Sequence, residues 1–177
     1  RMLVSMTSDA GDTYWFSDMF NTFARRGYGD DHGVPDCALR LRAGETRFDP
    51  GWELDIGART GGAPAVPILR GGGSRIWLRV LDESAVDLPQ PADYETLDTA
   101  QAWQWHLLDV EGDAPAERND ERPLASAGAI GMYVDGRAFT TVENTDYSES
   151  QLIELTSSGF RERARLRGVV DDIVRVR

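Results

Sequence analysis

The sequence predicts an all-β fold, a partial β-propeller of about three four-stranded antiparallel blades with long loops. Three observations predict it: four short strand-like runs between residues 129 and 168, the recurrence of that pattern twice upstream, and turn residues at most corners. Radial repetition of four-stranded sheets leaves only short, protected sheet edges, which favours a propeller. A β-sandwich, which is also built from short strands and tight turns, is the alternative.

Residues 129–168 carry the clearest pattern. Asp135-Gly136 lies between two strand-like runs, and this dipeptide strongly favours a two-residue hairpin because both central positions need positive φ. Residues 140–142 favour an extended backbone, residues 152–155 form a third run, and the turn at 157–159 leads into a fourth. We therefore expect a meander of four strands here.

The first unit, about residues 1–65, begins with a predicted strand at 2–6. An aromatic-rich segment follows at 13–28, and its middle, residues 18–26, predicts a short helix that Asp18 caps and Gly27 stops. Further strands are predicted at 37–41 and at 48–56, where Pro50-Gly51 is expected to distort the pairing.

The second unit, about 66–128, repeats this order. Strands are predicted at 66–69 and 76–81 across a triple-glycine turn, followed by a long Pro-containing loop at 82–99 and a strand at 103–110. The fourth strand has the weakest signal. The third unit is 129–177, and its end, 169–176, resembles the first strand of another unit. Alignment by eye matches residues 3–6 with 76–79 and 139–142, and residues 38–41 with 105–108 and 152–155.

The pattern predicts a single all-β domain, and because the chain enters a strand directly from Arg1 we expect a piece of a larger propeller. The 177 residues carry 30 acidic and 19 basic side chains, a net charge of -11 that repels nucleic acid. Every basic residue is arginine, whose planar guanidinium suits carboxylates and other oxyanions. Cys37 is the only cysteine, which excludes an internal disulfide. No apolar run approaches the roughly 20 residues of a membrane span, and no signal peptide is apparent.

Catalytic patterns are sparse. His32 and His106 are the only histidines, no Gly-x-Ser-x-Gly elbow is present, and the triple glycine lacks the lysine and helix of a phosphate loop. We predict no catalytic residue and no cofactor, with a hydrolase or lyase of the propeller type as an alternative.

Metal-binding patterns are also weak. The densest set of possible ligands is Asp30, Asp31, His32 and Asp36, whose spacing fits no standard site, so solvated loop charge is the preferred interpretation. Another acidic group surrounds Gly112 but lacks the ordered pattern of a calcium loop.

Several phrases of the chain are similar to a known family. They are Cys37-Ala-Leu-Arg-Leu-Arg-Ala-Gly-Glu-Thr-Arg-Phe-Asp-Pro-Gly51, Leu54-Asp-Ile, Thr60-Gly-Gly62, Ile76-Trp-Leu-Arg-Val-Leu-Asp-Glu83, Trp103-Gln-Trp105, Leu108-Asp109, Val134-Asp-Gly-Arg137, Asn144 and Asp146-Tyr-Ser148. Together they resemble the C-terminal half of the β-propeller proteins associated with siderophore systems, the myxochelin-uptake type. The resemblance implies a periplasmic or surface protein of a Gram-negative bacterium that takes part in iron-siderophore uptake. It supplies no established ligand residues.

The aromatic segment is the candidate contact surface for such a ligand. A ferric catecholate is anionic and aromatic, so its receptor needs guanidinium donors and ring faces. The predicted ligand-binding residues are Tyr14, Trp15, Arg25, Arg26 and Tyr28. In the alternative interpretation the segment is a lid whose phenylalanines pack on the blade ends.

The sequence therefore predicts a non-enzymatic binding protein of the bacterial envelope. Its expected partner is a ferric siderophore or an outer-membrane receptor. A protein-protein interaction module of an envelope complex is the second hypothesis, and its acidic surface and long loops would make the contact.

Overall fold

The described residues form three antiparallel β-sheets of four strands each in the computed structural model. The structure describes residues 2–28, 36–121, 124–127, 131–144, 146–156 and 158–170. Strands make up 49% and helices 13% of these described residues, so the all-β prediction is confirmed. The sheets form an open, propeller-like arc and not a closed ring, and there are three of them, whereas a sandwich has two layers.

Each sheet is a meander whose strands pair with their neighbours in chain order. The first sheet consists of β1 (Met2–Thr7), β2 (Thr13–Ser17), β3 (Cys37–Leu41) and β4 (Phe48–Asp55). The middle sheet consists of β5 (Ala65–Gly72), β6 (Arg75–Leu81), β7 (Trp103–Asp109) and β8 (Glu117–Arg118). The third sheet consists of β9 (Gly131–Val134), β10 (Arg137–Glu143), β11 (Glu149–Thr156) and β12 (Gly159–Arg167).

Three helices lie in the connections that the structure describes. They are α1 (Met19–Tyr28) between β2 and β3, α2 (Ile56–Arg59) between β4 and β5, and α3 (Tyr94–Thr99) between β6 and β7. Among the residues that the structure describes, no helix is long and apolar enough to cross a membrane.

The hairpin at Asp135-Gly136 forms as the sequence predicts. Both residues have positive φ, 50° and 76°, and Val134 pairs with Arg137 across the turn. The backbone twist of such a turn matches that of the flanking strands, which fixes the register of β9 against β10. The register in turn places Ala138 on the face of the third sheet that packs against the middle sheet.

Alternation along the strands builds the core between the first two sheets. Tyr14 and Phe16 of β2 point to the same face and are buried against Ile76, Leu78 and Val80 of β6. Burying a side chain the size of Phe16 contributes about 1.5–3 kcal/mol, so this two-residue period determines which face of the first sheet is covered.

Aromatic residues dominate the core between the middle and third sheets. Trp77 and Trp105 meet edge to face with ring centroids 6.0 Å apart, and both contact Phe160 of β12. The indole nitrogen of Trp77 donates to the carbonyl of Thr156, 3.2 Å away. The middle sheet is thus packed on both faces, and its first strand, β5, also contacts β1 and β9.

Three details differ from the sequence prediction. Strand β2 was missed because its five residues run directly into α1 and look like one aromatic segment. Helix α3 lies in what was predicted to be a long loop. The alignment of units was wrong by one strand at its first position, since β1 is the counterpart of β5 and β9, not of β6 and β10. The error in the alignment arose from the apolar character of the second strands. The match of β3, β7 and β11 is correct.

Candidate functional site

Helix α1 is defined by its cap and by its buried face. Asp18 accepts a hydrogen bond from the backbone N–H of Asn21 at 2.9 Å, which satisfies one of the free donors of the first turn. The helix continues to Tyr28, so the predicted stop at Gly27 is wrong. Gly27 instead allows a close approach, because a Cβ there would lie 2.3 Å from the carbonyl oxygen of Ala92.

A buried polar contact fixes α1 to the sheets. The hydroxyl of Thr22 lies 2.8 Å from Oδ1 of Asp36 and 3.1 Å from the carbonyl oxygen of Ala65, and Asp36 is itself buried. Burial raises the pKa of Asp36. The backbone carbonyl of Asp36 accepts from the N–H of Ile56 at 2.8 Å, so one residue connects α1 with the start of α2.

Aromatic contacts join α1 to α3. Phe23 lies against Tyr94 and Trp103, with ring centroids 5.0 and 5.6 Å apart. Phe20 stacks on Tyr94 at 4.9 Å, and the indole nitrogen of Trp103 donates to the carbonyl of Leu97 at 2.8 Å. The two helices therefore form one layer over the end of the middle sheet.

A polar cavity of about 340 Å³ opens beside this layer. We call it the arginine cleft. It is lined by Thr22, Arg25, Arg26, Gly62, Pro64, Glu83 and Gln90.

Both arginines of the cleft have acidic neighbours. Nε of Arg26 donates to Oε1 of Glu83 at 2.6 Å, and its Nη1 donates to the side-chain oxygen of Gln90. Nη1 of Arg25 lies 3.9 Å from Oδ2 of Asp36. Glu83 is half-exposed whereas Arg26 is mostly covered, so the anion that neutralises Arg26 is the more solvent-accessible partner of the pair.

A second cavity of about 410 Å³ adjoins the cleft and shares Gly62, Pro64 and Glu83 with it. Arg118 and His106 contribute to its lining, and Arg118 donates to Asp82 at 3.1 Å. Burial lowers the pKa of His106. Within the described ranges no carboxylate accepts a hydrogen bond from His106, and its Nδ1 is buried without a partner, so the arrangement of a hydrolytic triad does not form there.

The structure separates the five predicted ligand residues. Arg25 and Arg26 line the cleft, and Tyr28 is 62% exposed at the end of the same helix but does not line it. Tyr14 is 1% exposed and lies in the core, so it is not part of a contact surface. Trp15 is half-buried on the opposite face of β2, because neighbouring residues of a strand alternate.

The hydroxyl of Tyr14 has an internal partner. It donates to the carboxylate of Glu111, which also accepts from Nη1 of Arg40 at 3.0 Å. Burial, with the hydrogen bond to Glu111, raises the pKa of Tyr14. The side chain therefore stabilises the interface between the first sheet and the 109–113 loop.

The weak metal candidates do not form a described site. Asp30, Asp31 and His32 lie outside the described residues, and Asp36 is engaged with Thr22. No group of three or more possible metal ligands occurs in the part of the chain that the structure describes.

Two of the carboxylates around Gly112, Asp109 and Glu111, have partners within the fold. Asp109 accepts from the hydroxyl of Ser74 at 2.7 Å and from the N–H of Glu111 at 3.1 Å. They serve the fold of the loop.

Sequence reasoning missed the residues opposite the arginines. Glu83 and Gln90 come from the connection between β6 and β7, and Gly62 and Pro64 come from the connection between the first two sheets. The connection between β6 and β7 did carry one sequence signal for a helix, since Asp93 caps α3 by accepting from the N–H of Thr96 at 2.7 Å.

No protein-family model and no curated protein matches the chain.

Proposed function

We propose that this protein is a non-enzymatic binding protein that takes an anionic, catecholate-type iron-siderophore at the arginine cleft. The observation that carries the proposal is the pair Arg25 and Arg26, which line one polar cavity of about 340 Å³. Guanidinium groups form strong charge-assisted hydrogen bonds with oxyanions, and partial enclosure strengthens them. The likeness of the sequence to siderophore-associated propellers suggests the ligand class and a periplasmic or surface location in a Gram-negative bacterium.

Glu83 acts as an internal competitor in this proposal. Its carboxylate occupies Arg26, as an oxygen of a bound ligand would. Binding then exchanges one ion pair for another, and Glu83, which is half-exposed, returns to water at little cost. Replacing Glu83 by Gln therefore tightens binding, while removal of both arginine charges weakens it.

Tyr28 supplies an aromatic ring near the end of α1 that carries Arg25 and Arg26. It follows Arg25 by three residues, and residues at this spacing lie on the same side of a helix. A catechol ring held on Arg25 has Tyr28 as its nearest exposed aromatic neighbour on α1. Tyr28→Ala weakens the binding of the aromatic ligand more than that of a simple anion.

Equilibrium dialysis against a ferric catecholate complex and against its iron-free form tests the proposal. We expect the doubly substituted Arg25→Gln, Arg26→Gln protein to lose affinity at least about tenfold, and Glu83→Gln to gain affinity. The matched control, Arg161→Gln with Arg167→Gln, removes two charges from exposed positions of β12 and leaves affinity unchanged. Absence of binding by the unsubstituted protein, or equal affinity in the cleft and control variants, refutes the proposal.

Exposed aromatic residues support a second function, docking of an envelope protein on the helical layer. Phe20 is 53% exposed although it is stacked on Tyr94, and the pair covers the outer side of α1 and α3. Aromatic side chains are enriched where protein interfaces bury their energetic centre. Pull-down from envelope extract distinguishes the two functions: Phe20→Ser abolishes capture of a docking partner, and Leu166→Ser, a change at a 44% exposed residue of β12, does not.

A further inference from the structure

A separate pocket of about 330 Å³ lies where the first strands of the three sheets meet. Its walls come from Val4 and Met6 of β1, Ile68 and Arg70 of β5, Ile76 of β6 and Tyr133 of β9. Most of this lining is apolar, in contrast to the arginine cleft. We call it the inner pocket.

The inner pocket opens on the other face of the protein. Arg70 is bonded to Asp9 in the turn between β1 and β2, and Asp9 accepts from the N–H of Gly73 in the turn between β5 and β6. These turns lie at the strand ends opposite to the connections that carry α1 and α3. The two cavities share no lining residue.

Arg70 is the only charged side chain among the described lining of the inner pocket. It is 12% exposed, and its Cζ lies 4.8 Å from the centroid of the Tyr133 ring. Its Nη2 donates to the carboxylate of Asp9, while its Nε is buried and has no acceptor among the described residues. A buried donor without an acceptor is costly, so this guanidinium can gain from a second oxygen.

An incoming anion could readily displace the carboxylate of Asp9 from Arg70. It is 70% exposed, so its carboxylate can return to water without a large desolvation change, and it keeps the N–H of Gly73 as a partner. The bond to Arg70, with that of Gly73, lowers the pKa of Asp9 and keeps it anionic. It therefore holds the position that an incoming anion would take.

We propose that the inner pocket binds a small apolar carboxylic acid. The apolar body lies between β1 and β5, and the carboxylate replaces Asp9 on Nη2 of Arg70 and also accepts from Nε, because a carboxylate matches the guanidinium fork with two parallel hydrogen bonds. The volume suits a ligand of one or two fused rings or a short chain. The cationic Arg70 excludes amines, and neutral analogues leave its Nε without an anionic acceptor.

Isothermal titration calorimetry with 1-naphthoate tests the proposal, with naphthalene-1-methanol and 1-naphthylmethylammonium as the neutral and cationic analogues. We expect the acid to bind at least about tenfold more tightly than the alcohol, and the ammonium not to bind. Arg70→Gln removes the preference for the acid. Asp9→Asn removes the competing carboxylate and tightens binding of the acid about threefold or more, whereas Asp87→Asn, a change in an exposed loop, has no effect.

The Asp9→Asn variant keeps the guanidinium of Arg70, so it tests the proposal even if the Arg70→Gln protein does not fold. If the Arg70 pair with Asp9 were only structural, Asp9→Asn would leave naphthoate affinity unchanged or reduce it, and either result overturns the proposal. Val4→Thr, which keeps the shape of the wall and adds a hydroxyl, weakens binding of acid and alcohol alike. Substituting both Arg25 and Arg26 by Gln leaves naphthoate binding unchanged, which separates this site from the arginine cleft.

Discussion

Thr22→Val tests the buried polar contact that fixes α1 beside the arginine cleft, because valine has the shape of threonine without its hydroxyl. In the folded protein that hydroxyl contacts Oδ1 of Asp36 at 2.8 Å and the carbonyl oxygen of Ala65 at 3.1 Å, and all three groups are buried. Leaving a buried polar group without its partner costs about 1–3 kcal/mol. We expect a loss of about 2 kcal/mol, which for a chain of this size lowers the unfolding midpoint by about 4–8 °C.

The pH dependence of the same variant gives a second readout. Burial raises the pKa of Asp36, and the hydrogen bond from Thr22 opposes that rise. A raised folded pKa means that the folded protein keeps a proton that the unfolded chain has lost, so stability falls as pH rises from the ordinary value of Asp, about 3.9, through the folded pKa. Thr22→Val raises the pKa of Asp36 further and extends this fall to higher pH, whereas Asp36→Asn removes it.

Urea unfolding followed by circular dichroism at several pH values measures both effects. Thr99→Val is the matched control, since the Thr99 hydroxyl donates to the carbonyl of Glu95 at 2.7 Å on the exposed surface of α3. We expect its effect to stay within about 0.5 kcal/mol. Equal losses for Thr22→Val and Thr99→Val would show that the buried contact does not hold α1, and an identical pH profile in Asp36→Asn would refute the protonation reasoning.

Three other substitutions have defined expectations, all measured as urea midpoints. Gly27→Ala costs about 1–3 kcal/mol because its Cβ would meet the carbonyl oxygen of Ala92, a backbone atom that cannot rotate away. Gly136→Ala costs about 1 kcal/mol because its φ is 76°; an unchanged midpoint would contradict the turn geometry. The hydrogen bonds from Arg137 and Arg163 lower the pKa of Glu154 to about 2, against the opposing effect of burial. Glu154 therefore contributes stability above its ordinary pKa of 4.5 that is lost as pH falls towards 2, so Glu154→Gln flattens the acid limb by about 1 kcal/mol after allowance for solvent screening.

Local chemistry explains which elements could be predicted from the sequence. The turn at Asp135-Gly136 depends on two adjacent residues, and the cap of α1 depends on Asp18, so both follow from neighbours in the chain. Strand β2 could not be separated from α1 because its aromatic residues suit either structure, and only pairing with β1 and β3 distinguishes them. The distortion expected at Pro50-Gly51 is confirmed by the shifted register between β3 and β4.

The candidate site was only partly predictable for the same reason. Arg25 and Arg26 are adjacent in a helix whose period can be counted, so their common location follows from the sequence. Tyr14 was assigned to the surface because no sequence feature indicated that β2 packs against β6, and that packing buries it. Glu83 comes from a connection more than fifty residues away from Arg26, and its contact with the arginine depends on the arrangement of two sheets.

Topology explains why the arginine cleft lies where it does. In a four-stranded meander the second and fourth strands run in the same direction, so the connection after the second strand and the connection to the next sheet emerge on one face. Helix α1, the 60–64 turn and the loop that carries Glu83 are these connections in the first and middle sheets. Insertions there are tolerated because they lengthen loops without changing strand register. The corresponding connection of the third sheet, around Asn144, is short and carries no helix among its described residues. In the part of the chain that the structure describes, the helical layer and the cleft therefore lie beside the first two sheets.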